Sequence, residues 1–92
     1  MKKFNLGQVV VTRQINNDIA DSSKFAKEVH ESLMKYIRCD WGDTHEADKP
    51  LNDEAVKNGD RILAAYKTSK GKIWIITEWD RSATTILYPD EY

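Results

Sequence analysis

The stretch from Lys72 to Tyr88, KIWIITEWDRSATTILY, limits what this chain can fold into more than any other. Ile73, Trp74, Ile75, Ile76 and Trp79 crowd its first half, and a run so short, β-branched and aromatic reads as a strand buried on at least one face. Thr84 to Tyr88 reads as the returning partner, and Asp80, Arg81, Ser82 and Ala83 between them suit a tight connection whose side chains bond their own backbone. The stretch is predicted to be a β-hairpin. Trp79 is read as core, with Asp80 and Arg81 shaping the turn. An interface role for Glu78 to Arg81 is the second reading, because exposed Trp and Arg dominate protein contacts.

Upstream, Arg61 to Lys67 (RILAAYK) favours helix by its alanines and leucine. The short loop Thr68 to Gly71 nevertheless feeds straight into the strand at Lys72, so a strand is predicted, turning through a hairpin with a bulge at Gly71. Gln8 to Arg13 is β-branched and brief, another strand, which Asn16, Asn17 and Asp18 should break. Pro89 and Asp90-Glu91-Tyr92 stop the last strand. The expected fold is α+β, one domain over residues 1–92. An antiparallel sheet of about four strands, the N-terminal strand plus a C-terminal three-strand meander, carries two helices packed on one face.

The first helix follows Asp21, Ser22 and Ser23, which are N-cap types. Phe25, Val29, Leu33 and Tyr36 or Ile37 then recur at helical spacing. Its solvent face offers the pairs Lys24–Glu28, Lys27–Glu31 and Glu31–Lys35, and Gly42 is the expected stop. Asp43 to Glu46 has the form of a capping box, so helical turns are expected from about 44 to 58, interrupted near Pro50 and closed by Asn58-Gly59-Asp60.

Charge is distributed unevenly. The net is −1, but residues 1–39 carry +3, 40–60 carry −5, 61–81 carry +3 and 82–92 carry −2. The one concentration is acidic, so duplex DNA is a poor direct partner. No apolar run nears the roughly 18 residues of a membrane helix, and the amino terminus lacks the apolar core of a signal peptide. The expected location is the cytoplasm, which a lone cysteine, Cys39, also fits.

Cys39 to Glu46 gathers a thiol, three carboxylates and an imidazole. Zinc wants four well-spaced N or S ligands, and the chain has one Cys and two His; the segment also misses the register of a hard-cation loop. No cofactor or metal is expected. A small hydrolase built on Cys39, Asp40, Asp43 or His45 is the weakest reading, because nothing in the spacing sets His30 or His45 beside the thiol. Nucleotide-binding glycine loops are absent. Trp41 is read first as core, and Lys67, Lys70 and Lys72 at a hairpin tip first as solubilising charge.

Three stretches together, FNLGQVVVTRQIN, DWGD with LNDEAVKNGDRILAAY, and KIWIITEWDRSATTILYPDEY, resemble a family of short proteins carried by plasmids, phages and conjugative elements of bacteria. Its members are labelled variously as plasmid-related proteins or as a restriction-modification subunit M, although this chain is too short for a methyltransferase domain. The resemblance covers nearly the whole chain and implies a non-enzymatic accessory protein. Such a protein would inhibit or modulate a host defence protein, of the anti-CRISPR or anti-restriction kind, by contact. Asp40, Trp41, Asp43, Glu46, Asp48, Asp53 and Glu54 would form the contact, acid against a basic groove, with Trp41 as anchor. The alternative is a nucleic-acid-binding maintenance module using Lys67, Lys70, Lys72 and Arg81. A homodimer through an exposed edge strand, at Val9 or Thr84, is a further expectation.

Overall fold

A computed structural model describes residues 3–92. The first strand, β1 (Gln8–Val11), falls where the β-branched run puts it. No break follows. The Thr12 side chain accepts the Ile15 N–H at 3.3 Å and caps α1 (Arg13–Asp21), which runs through Asn16, Asn17 and Asp18. Their weak helix propensity yields to the core, because Ile15 is fully buried and Ile19, one turn on, packs against the same cluster.

Ser22 accepts the Phe25 N–H at 3.1 Å and caps α2 (Ser23–Ile37), whose Phe25, Val29 and Tyr36 point into the core as expected. The helix stops before Gly42. Cys39 takes the left-handed conformation (φ 63°), its N–H bonding Tyr36 O while the Asp40 N–H bonds Lys35 O, the two bonds of a Schellman motif. Among the described residues none of the three expected ion pairs on this helix closes. Glu28 instead accepts from the Ser69 N–H and hydroxyl, at 3.0 and 2.6 Å, fastening the helix to a hairpin tip.

The next helix, α3 (Lys49–Asn58), takes Pro50 into its first turn and ends on Gly59 at φ 74°. It begins later than predicted, and the Asp43–Glu46 box does not form: Glu46 pairs with Lys49 at 2.6 Å, and Asp43 serves a strand.

Three strands follow, β2 (Ile62–Thr68), β3 (Gly71–Thr77) and β4 (Ala83–Leu87), then a 3₁₀ turn over Pro89–Glu91. The hairpin of residues 72–88 is present, and 61–67 is strand, not helix. Thr68 pairs with Gly71 in unbroken register, so Ser69 and Lys70 make a two-residue loop without the expected bulge. The sheet order is β1-β4-β3-β2. It is a mixed sheet, not the antiparallel one predicted: β1 and β4 run parallel, because the chain between them crosses through the helices and a hairpin before returning. Among the described residues three helices stand where two were expected.

The sheet turns alternate side chains into one cluster, and Ala65, Ile76 and Leu87 between them are buried on the other face. Ile62, Ala64 and Tyr66 of β2, Ile73 and Ile75 of β3 and Ile86 of β4 join Ile15, Phe25, Val29 and Tyr36 in one cluster. On this face two threonines are fully buried, and they are satisfied as a chain: Tyr36 Oη, Thr77 Oγ1, Thr84 Oγ1 and Leu6 O stand 2.7 Å apart at each step. A carbonyl can only accept, so Thr84 donates to Leu6, Thr77 to Thr84, and Tyr36 to Thr77.

Candidate functional site

The acidic segment 40–54 has an inner side and an outer side, and the inner side closes the free edge of β2. In an antiparallel ladder alternate residues turn their N–H and C=O groups away from the partner strand. On β2 these are Leu63, Ala65 and Lys67, and almost every such group is bonded. The buried Asn52 side chain stands in for a peptide group, accepting the Leu63 N–H at 3.4 Å and donating to Leu63 O at 2.9 Å. Thr44 Oγ1 accepts the Ala65 N–H and the Asp43 N–H donates to Ala65 O, both at 2.9 Å. The Asp43 carboxylate takes the Lys67 N–H at 2.8 Å.

Trp41 is 4 % exposed, its ring 5.6 Å from that of Tyr36, and its Nε1 donates to Asp53 at 2.8 Å. It packs in the core and offers no exposed anchor. Gly42 is forced by its surroundings: at φ +59° a Cβ would lie 2.4 Å from the Tyr66 ring. The Tyr66 hydroxyl in turn donates to Asp40 O at 2.8 Å, and burial holds its pKa far above the ordinary phenol range.

The outer side keeps the charge. Asp40, Asp43, Glu46, Asp48, Asp53 and Glu54 are all exposed, with Lys49 the one cation from 40 to 56. Leu51 stands among them at 60 % exposure. Sequence reasoning missed it, although the buried stripe of Asn52, Ala55 and half-buried Val56 leaves position 51 on the outer side of α3.

Trp79 is not core. It is 68 % exposed, because β3 ends at Thr77 and the loop swings the next positions outward. Arg81 does shape that loop. At φ 60° its guanidinium donates to Asp60 O, Glu78 O and Ala55 O at 2.7, 3.1 and 2.9 Å, and Asp80 accepts the Ser82 N–H at 3.1 Å. Committed to carbonyls, Arg81 sits at the opposite end of β3 from Lys70 and Lys72. Lys67 and Lys72 face each other across β2 and β3. Lys70 and Lys72 line an open groove of about 780 Å³ together with Asp18, Asp90 and Glu91, so their charge meets carboxylates nearby.

The residues of the hydrolase reading are scattered in role. Burial pushes the Cys39 thiol above its ordinary pKa, the reverse of an activated nucleophile. The Nδ1 of His45 accepts the Ala47 N–H at 3.2 Å within its own turn. Among the described residues no three His, Cys, Asp or Glu side chains converge as metal ligands, and no helix is long and apolar enough to cross a membrane. Comparison of the chain with models of protein families, with curated proteins and with solved structures finds no match.

Proposed function

We propose that this chain is a non-enzymatic binding module whose acidic surface, spanning the loop before α3 and the helix itself, docks on a basic groove of a protein partner. One observation carries the reading: a segment whose main chain and Trp41 are pinned to β2 and the core turns six carboxylates to solvent. Carboxylates held by a fixed backbone lose little freedom on binding, and a concentrated negative field steers a basic partner toward them. Leu51 supplies the apolar contact that buried Trp41 cannot. The resemblance to proteins of plasmids and phages favours a nucleic-acid-binding host defence protein, a CRISPR or restriction effector, as that partner.

The test separates outer charge from inner scaffold. Asp48→Asn, Glu54→Gln and Leu51→Ser, combined, touch no main-chain bond of the segment. In cells carrying a CRISPR or restriction system, the wild-type chain should raise the plating efficiency of a targeted phage and the triple variant should not. A folded triple variant that protects the phage as well as the wild type removes the acidic-surface reading.

A further inference from the structure

The two edges of this sheet are finished in opposite ways. The β2 edge is sealed by Asn52, Thr44 and Asp43, whereas no described residue pairs with the outer edge of β1. In the parallel register Gln8↔Ala83 to Val11↔Ile86, the Gln8 N–H bonds Ser82 O and the Thr12 N–H bonds Ile86 O, at 3.1 and 3.2 Å. Bonding in a parallel ladder alternates, so Gln8, Val10 and Thr12 face β4, and Val9 and Val11 present their N–H and C=O groups outward. A bare edge is protected by shortness, a lysine, a proline, a bulge or an inward charge. The four residues Gln8-Val9-Val10-Val11 have only shortness on their side, and Val9 and Val10 are 42 % and 37 % exposed.

We propose that β1 pairs antiparallel with β1 of a second copy of this chain, Val10 facing Val10 on the twofold axis. In that register each Val9 exchanges both main-chain bonds with Val11 of the other copy, so all four outward groups on each strand are satisfied. Any register that pairs a bonding residue with a non-bonding one leaves them bare. Two features select a second copy over a foreign strand. The edge carries no charge, so it is self-complementary, unlike the acidic surface, which would repel its own image. That acidic surface lies along β2, at the far end of the order β1-β4-β3-β2. A continuous eight-strand sheet therefore holds the two acidic surfaces some seven strand spacings apart, roughly 34 Å at about 4.8 Å each, well beyond the screening length at physiological salt. The sealed β2 edge makes the contact isologous and closed, so pairing stops at two copies. The dimer would present two copies of the proposed binding surface, but its existence does not depend on that reading.

Sedimentation equilibrium of the full chain from about 10 μM to about 1 mM is the test, since a four-residue edge gives a concentration-dependent association. The expected result is a mass that rises from 10.6 kDa toward twice that value. Val10→Lys sets two ammonium groups against each other on the axis and should hold the chain monomeric. Val9→Pro removes an outward N–H that β1 does not use internally and should do the same, with circular dichroism verifying the fold. In a Cys39→Ser background, Val10→Cys should cross-link as a disulfide dimer on mild oxidation, because a pair that exchanges no main-chain bonds brings Cα atoms within about 4.5 Å. A wild-type chain still monomeric at about 1 mM overturns the proposal. So does a dimer that survives Val10→Lys, or a Val10→Cys chain that does not cross-link.

Discussion

Replacing Thr77 by valine should destabilise the fold more than removing the Tyr36 hydroxyl, and doing both should be less harmful than the valine alone. The reason is the direction of the buried chain, in which Tyr36 donates to Thr77, Thr77 to Thr84, and Thr84 to the Leu6 carbonyl. Tyr36→Phe removes one neutral bond and leaves an oxygen short of a donor, a loss of about 1 kcal/mol. Thr77→Val keeps the shape, breaks two of the bonds and strands the Tyr36 O–H, on a side chain with no exposure, without an acceptor. Two lost bonds and an unpaired buried donor come to about 3 kcal/mol. In the double variant no donor is stranded, since Thr84 keeps its bond to Leu6 O, so the total falls back to about 2 kcal/mol. Urea denaturation monitored by tryptophan fluorescence reads these differences, and thermal unfolding gives about 4 to 8 °C per kcal/mol for a domain of this size. Adding Tyr36→Phe to the Thr77→Val chain should thus raise its Tm. A double variant less stable than Thr77→Val alone, by the full cost of Tyr36→Phe, would refute the assigned direction.

Other expectations are simpler. Gly42→Ala should cost well over the roughly 1 kcal/mol of a strained backbone, because its Cβ meets the buried Tyr66 ring. Gly59→Ala, also left-handed but facing open space, should cost about that amount alone, as chemical denaturation of the pair will show. Asp18, Glu28, Glu46 and Asp80 have pKa values held below their ordinary 3.8 and 4.5, chiefly by hydrogen bonds from Tyr88, Ser69, Lys49 and Ser82. Depressed carboxylates stabilise the fold above their unfolded pKa, and that contribution disappears as pH falls through the folded value. Tm should therefore hold between pH 5 and 7 and fall below about pH 4.5, less steeply in Glu28→Gln. Cys39 should react with a disulfide reagent at pH 8 more slowly than free cysteine, since burial raises its thiol pKa and lowers the thiolate fraction; a faster rate would contradict that environment.

Much of the fold was legible where one force dominated. The hairpin of residues 72–88 follows from the density of branched and aromatic side chains, and the start of α2 follows from Ser22 with Phe25 and Val29 behind it. Errors arose where local chemistry met tertiary demand. Asn16, Asn17 and Asp18 read as a break, yet Ile15 and Ile19 need a helix to reach the core. Strand alternation places Trp79 on the buried side with Ile73 and Ile75, but the ladder ends at Thr77 and alternation ends with it. Asp43 and Glu46 match a capping box in spacing, and no local pattern could reveal that Asp43 is needed by Lys67, twenty-four residues away in sequence. The parallel pairing of β1 was hidden for the same reason, since register between distant strands leaves no periodic trace. In the candidate site the sequence marked the acidic run but not its division into an inner seal and an outer charged face.

That division, with one edge of the sheet closed and the other open, can be read amide by amide. Hydrogen exchange followed by NMR in dilute solution should find the Leu63, Ala65 and Lys67 amides as protected as those inside a sheet, although β2 is an edge strand, and the Val9 and Val11 amides exchanging rapidly. Rapid exchange at Leu63, Ala65 and Lys67 would contradict the seal by Asn52, Thr44 and Asp43, and with it the fixed backbone on which the acidic surface depends.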